Sequence, residues 1–93
     1  MEFLIRRTDG EWFDGVDRDK TLRPNSFGSK VIKGWGDHRI EVQGVEVSFS
    51  YEDPGWQIVF EGPIEATMAR QIVQEIAGNI TAATGQGSRI VEM

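Results

Sequence analysis

The clearest pattern in the chain is the alternation of apolar and polar residues between positions 45 and 51. In the run Val-Glu-Val-Ser-Phe-Ser-Tyr, every odd position is apolar and every even position is Glu or Ser. A strand with one buried face and one solvated face has this period of two. Shorter runs at 2–7, 30–35 and 38–43 also predict strands, and a further strand follows the Pro-Gly turn at 54–55.

The parity of the apolar positions predicts how these strands pair. A two-residue turn at Gln43-Gly44 would pair position 42 with 45 and position 40 with 47, which places all four side chains on one face. A bulge at Gly44 in one long bent strand would have the same effect, so both arrangements stay open.

The strongest turn signal is Glu52-Asp53-Pro54-Gly55. Pro suits the second position of a β-turn and Gly accepts a positive φ at the third, so we predict a four-residue loop. The pairs 51 with 56, 49 with 58 and 47 with 60 would then bring aromatic and aliphatic side chains together on one face.

A helix is predicted over 63–84. Apolar residues recur every four positions and form a stripe along one side: Ile64, Met68, Ile72, Ile76 and Ile80. Pro63 suits the first helical position and Gly85 the position just after the last turn. Gly78 inside the helix suggests close approach to the sheet, and 89–92 can form a short last strand.

Together these elements predict a single α+β domain over residues 1–93. We expect an antiparallel meander of four to five strands with one long helix packed on one face, and 89–92 available as a C-terminal strand. The core would contain the aromatic residues at inward parity: Phe3, Phe49, Tyr51, Trp56 and Phe60.

Composition excludes several classes of site. The chain of 93 residues has no cysteine, which excludes disulfides, Fe–S clusters and a thiol nucleophile. With the single histidine His38, zinc sites that need two imidazoles are excluded as well. We expect no cofactor and no metal.

The net charge of −5 is distributed unevenly. Residues 1–40 hold eight Lys/Arg and seven Asp/Glu, whereas residues 41–93 hold two and eight. This acidic balance disfavours nucleic acid as a partner, because phosphate neutralisation supplies most of that affinity. It is typical of a soluble surface and also suits a basic protein partner.

No apolar run approaches the roughly 20 residues of a membrane span. The start Met-Glu-Phe-Leu-Ile-Arg-Arg lacks the apolar stretch of a secretory signal. We therefore expect a cytoplasmic protein that does not insert into membranes.

Residues 8–29 show no period and are rich in turn dipeptides. A structureless stretch of this length is unusual in a small domain, so either a strand or helical turn is hidden near 11–13 or 19–22, or the segment is a working loop. Aromatic and arginine side chains dominate binding hot spots. As a recognition loop, the segment would contact a partner through Trp12, Phe13, Arg18, Arg23 and Phe27. The alternative is that its aromatic side chains fold back over an open end of the sheet.

Other candidate sites have weaker support. The acids Asp9, Glu11, Asp14, Asp17 and Asp19 do not match the calcium-loop spacing. Adjacent strand residues point to opposite faces, so Asp37 is poorly placed to orient His38, which we expect to be solvated. The even positions of the 45–51 run and Glu52 are expected to face solvent, or alternatively to form one wall of an interface. The GxG fragments lack a third glycine for phosphate binding.

Two function classes follow. The first is a small acidic protein-binding module without catalytic activity, such as an inhibitor, an immunity-type neutraliser or an accessory subunit. The second is a small enzyme or ligand-binding domain that uses carboxylates such as Asp14, Asp17 and Asp37, alone or as a homo-oligomer. The absence of a recognisable catalytic constellation favours the first.

Overall fold

The alternating runs form the strands of one antiparallel sheet, and the four-residue apolar spacing forms the helix that covers it. The computed structural model describes residues 1–13, 15–52 and 55–93. Its elements are β1 (Glu2–Arg7), α1 (Arg18–Thr21), β2 (Ser29–Val31), β3 (His38–Val42), β4 (Val45–Glu52), β5 (Gly55–Glu61), α2 (Ala66–Thr84) and β6 (Ser88–Glu92). The predicted α+β class is confirmed, and the C-terminal strand is present.

The sheet has six strands in the order β2-β3-β4-β5-β1-β6. The first strand lies between β5 and β6, antiparallel to both, and β2 and β6 form the two edges. Strands β2 to β5 follow one another as the expected meander, so the observed sheet of six strands is this meander extended on one side by β1 and β6. Helix α2 covers one face, and we call the other the open face.

The predicted registers are confirmed. Val42 pairs with Val45 across Gln43-Gly44, and both turn residues have positive φ, 53° and 75°. Positive φ at both positions defines the tight turn that matches the twist of a hairpin. The turn is therefore a two-residue hairpin, and the alternative of a bulge at Gly44 is wrong.

The second hairpin differs from prediction at Gly55. Its strands pair from Val47 with Phe60 through Tyr51 with Trp56, as expected, but the ladder continues to Glu52 and Gly55. The predicted four-residue loop is therefore wrong, and Gly55 is a strand residue. A glycine is needed at this position because a Cβ would lie 2.0 Å from the backbone oxygen of Ile5 on the neighbouring strand β1. The turn residues Asp53 and Pro54 lie outside the described residues.

Helix α2 begins later than predicted and ends where predicted. Glu65, with φ −64° and ψ 135°, is the extended residue before the first turn, so Pro63 is not helical. Gly85 ends the helix with φ 72°, and its N–H donates to the oxygen of Thr81. Gly78 is exposed and a Cβ there would meet nothing within 4 Å, so the expected close approach to the sheet is wrong.

The core lies between α2 and the covered face of the sheet. The helix contributes Ala69, Ile72, Val73, Ile76, Ala77 and Ile80. The expected core aromatic residues Phe3, Phe49, Trp56 and Phe60 are all buried, whereas Tyr51 is partly buried at the edge of this cluster.

The aperiodic segment contains the short helix α1, close to the expected position 19–22. The Asp17 side chain caps it by accepting a hydrogen bond from the Lys20 N–H. The stretch after α1 is attached to α2 through Asn79, whose amide donates to the oxygen of Arg23 at 2.8 Å, and through Glu75, which accepts from two backbone N–H groups. These contacts join residues about 50 positions apart, so no local pattern in the sequence indicates them.

No helix in the described ranges 1–13, 15–52 and 55–93 is long and apolar enough to cross a membrane.

Candidate functional site

Three of the connections that the structure describes meet at one end of the sheet, which we call the loop end. They are residues 8–13 and 15–17 after β1, 32–37 before β3 and 85–87 before β6. Thr8 and Gly87 are joined by a backbone hydrogen bond of 3.1 Å, and Arg18 donates to the backbone oxygen of Asp37 at 3.1 Å. The loop end therefore gathers residues from distant parts of the chain.

A stack of aromatic rings forms the centre of the loop end. Trp12 packs edge-on against Tyr51 with 4.9 Å between ring centroids, and Tyr51 stacks on Trp56 at 4.7 Å. The guanidinium of Arg18 lies over Trp56, 5.4 Å from its centroid. Trp56 is 2 % exposed, whereas Trp12 is 41 % exposed. The stack thus extends from the core to a tryptophan that solvent can reach.

The five residues of the recognition-loop hypothesis occupy different environments. Trp12 and Arg18 are exposed, whereas Phe13 is 4 % exposed and belongs to the core. Arg23 is half-buried and donates to the side chain and backbone of Ser29, and Phe27 packs partly buried against the core. The segment therefore combines both sequence alternatives, since some of its aromatic side chains complete the core and Trp12 remains accessible.

Beside the stack lies a cleft of about 320 Å³ between α1 and the 32–37 connection. Arg18, Asp19, Lys33, Asp37 and His38 are among its lining residues. The expectation that His38 is solvated is wrong, because the residue is 7 % exposed and its ring lies 5.3 Å from that of Phe49. Its parity, shared with the buried Ile40 and Val42, is the sequence signal for this burial.

The groups around His38 shift its pKa in opposite directions. Burial lowers the pKa of His38 below its usual 6.5, and the positive charges of Arg18 and Arg23 act in the same direction. Asp19, whose carboxylate lies 3.8 Å from Nδ1, and the backbone of Leu22 raise this pKa but do not offset the burial. The folded protein therefore holds His38 neutral at a pH at which the unfolded chain takes up a proton.

We expect the free energy of unfolding to fall as the pH drops below about 6.5, because the unfolded state then binds more protons than the folded state. The His38→Gln variant should lack this part of the pH dependence. Urea unfolding of both proteins at several pH values between about 7 and 5 would measure it. Equal slopes for wild type and variant would show that His38 does not cause the loss.

Two carboxylates of the enzyme hypothesis accept hydrogen bonds from backbone N–H groups of the protein itself. Asp17 caps α1, and the Asp37 carboxylate accepts the Tyr51 N–H at 2.7 Å. Asp14 lies outside the described residues. Within the described part of the chain, no group of three or more His, Cys, Asp or Glu side chains could hold a metal ion.

The open face near the loop end presents a second tryptophan that the sequence pattern did not single out. Trp35 is 56 % exposed, and the guanidinium of Arg39 lies 5.3 Å from its ring centroid. Arg39 also forms ion pairs with Glu46 at 3.0 Å and Glu61 at 2.5 Å. Ser48, expected to face solvent, is 1 % exposed, since its cross-strand neighbours on this face are Arg39 and Val59.

No protein-family model matches the chain, and neither a curated protein nor a solved structure matches it.

Proposed function

We propose that the protein is a non-catalytic protein-binding module, of the inhibitor, immunity-type or accessory-subunit kind, that binds its partner through the loop end. The observation that carries this proposal is Trp12, a large aromatic side chain that is 41 % exposed although its position is held by several contacts. Tryptophan and arginine are the residue types most enriched among binding hot spots. Arg18 lies in the same stack.

Trp12 is pre-organised for binding. The hydroxyl of Tyr51 donates to the backbone oxygen of Phe13, and Arg7 donates to the backbone oxygen of Trp12 at 2.8 Å. Phe13 anchors the same stretch in the core. A side chain held in this way loses less conformational entropy on binding than one on a free loop, so more of its contact energy is available for affinity.

The surroundings of the ring stack also suit a protein interface. Arg18 lies over Trp56 in this stack and also lines the cleft, and the exposed Trp35 follows the cleft-lining Gly34. Asp17 and Asp37 bind backbone N–H groups of this protein, which favours a structural over a catalytic role for them. We propose that the protein binds its partner in the cytoplasm, because a chain without cysteine does not need an oxidising compartment.

Affinity purification from the native host, followed by mass spectrometry and calorimetric titration of the recovered partner, tests the proposal. We expect Trp12→Ala and Arg18→Ala each to weaken binding by about 30-fold, the equivalent of a hot-spot loss of about 2 kcal/mol. The matched control is Arg70→Ala on α2, where the arginine is exposed and pairs with Glu92. A partner that binds both loop-end variants as tightly as wild type would show that the interface lies elsewhere.

A further inference from the structure

Two arginines at the loop end of the open face lie side by side, and none of the described residues is a counterion to either. Arg6 on β1 is directly opposite Arg89 on β6. The alternate residues Phe3 and Ile5 are buried and Ile90 packs against the core, so both arginines lie on the open face. Among the described residues, neither side chain forms an ion pair or a hydrogen bond, whereas Arg7, Arg39 and Arg70 are all ion-paired.

This arrangement is unfavourable for the protein alone. Like charges directly opposite one another destabilise a sheet. Arg6 is also partly buried, and its Nε is shielded from solvent without a hydrogen-bond acceptor. A shielded donor without a partner costs the free energy of its lost hydration. An anion bound between the two guanidinium groups would remove both costs.

The described residue of β5 that lies opposite Arg6 has no side chain that could supply that anion. The residue opposite Arg6 on β5 is Gly55, and the backbone of Ile5 leaves no room for a side chain there. The next residue in this row is Glu52, one strand further away. Adjacent strands are about 4.8 Å apart, so Glu52 lies about 10 Å from Arg6 along the row, and the two are not ion-paired.

The arginine pair lies at the loop end, the same end of the sheet as the connection that carries Trp12. The Nη2 atom of Arg6 lies beside Gly10, 3.9 Å from where a Cβ would stand, so no side chain of that residue covers it. The adjacent Arg7 donates to the backbone oxygen of Trp12. Trp12 packs on Tyr51 of the covered face and the arginine pair is on the open face, so a partner that contacts both would extend around the loop end.

We propose that Arg6 and Arg89 together bind a side-chain carboxylate from an acidic segment of the protein partner, an inference that rests on the proposed function. Guanidinium groups bind carboxylates through paired hydrogen bonds, and arginine is the preferred residue for interface ion pairs. The net charge of −5 disfavours a polyanion such as nucleic acid. A short acidic stretch of a protein meets less of this repulsion.

The experiment is a titration of the isotope-labelled protein with a hexa-aspartate peptide, followed through the arginine side-chain N–H resonances. We expect the Arg6 and Arg89 resonances to shift and saturate. The Arg89→Gln variant should bind at least about tenfold more weakly, as loss of a charge-assisted hydrogen bond implies. The charge-matched control Lys20→Gln, on α1, should bind like wild type. Arg89→Gln should also melt at a higher temperature than wild type, because the like-charge contact is gone.

Three results would overturn the proposal. Equal weakening in Arg89→Gln and Lys20→Gln would show that the peptide responds only to net charge. Resonances that shift with inorganic phosphate but not with the peptide would assign the pair to a phosphate ligand. Unmoved resonances with both probes would mean that the pair binds neither anion. Since the titration does not require the partner, its outcome is independent of the Trp12 test of the proposed function.

Discussion

Phe13→Ala is expected to destabilise the protein by about 3–5 kcal/mol, whereas Trp12→Ala should cost no more than about 2 kcal/mol. The two aromatic residues are adjacent, but Phe13 is 4 % exposed and part of the core, and Trp12 is 41 % exposed. Removing a buried ring leaves a cavity that the surrounding structure fills only in part. Removing the exposed ring loses mainly its edge-on contact with Tyr51.

Urea unfolding followed by far-ultraviolet circular dichroism measures both variants without relying on tryptophan fluorescence. The Trp12→Ala protein is the control for the loss of an aromatic side chain from the same segment. If Phe13→Ala unfolded at the wild-type urea midpoint, the packing of Phe13 in the core would be wrong. The proposed function would then lose the anchor that holds Trp12 in place.

The strand registers could be predicted from the sequence because side-chain parity in a strand is strict. Shifting β4 by one residue would move Val47 and Phe49 to the open face and two serines into the core. Only one pairing satisfies both hairpins, so the pattern of residues 40–60 determines it. The same reasoning applied to His38 would have indicated its burial, since it shares the parity of Ile40.

The segment between β1 and β2 could not be predicted in the same way. Its residues are held by single contacts rather than by a repeating face, such as the bond of Asn79 to Arg23 and those of Glu75 to Asn25 and Ser26. Such contacts have no periodic signature. The sequence left two positions open for hidden secondary structure, 11–13 and 19–22, and the capping residue Asp17 is a local signal for the second.

The candidate site was predictable in part. The sequence indicated Trp12 and Arg18 because aromatic and arginine residues stand out in a segment without a period. It did not distinguish Trp12 from Phe13, since the choice depends on how the segment folds back on β4. The Arg6–Arg89 pair becomes visible only once β6 is known to pair with β1, a contact between the two ends of the chain.

Gly55→Ala and Gly78→Ala are expected to change stability in opposite directions. In a central strand, the added methyl group at Gly55 would lie 2.0 Å from the oxygen of Ile5 and 3.1 Å from the Cα of Arg6. These are backbone atoms of β1, which is hydrogen-bonded on both sides and cannot move away easily. We expect a loss of at least about 3 kcal/mol. At Gly78, an exposed helical position with nothing within 4 Å, alanine should stabilise the protein by about 1 kcal/mol.

Thermal or urea unfolding of the two variants beside wild type measures this contrast, and Gly78→Ala controls for the substitution itself. The contrast depends on β1 lying between β5 and β6, because in a simple meander with β1 at the edge the strand could shift to accept the methyl group. A Gly55→Ala protein as stable as wild type would therefore contradict the central position of β1. It would also remove the reason why β5 supplies no counterion to Arg6, so the same variant bears on the arginine pair. If alanine at position 55 is not tolerated, the glycine that keeps the two strands close also leaves the β5 position opposite Arg6 without a side chain that could pair with it.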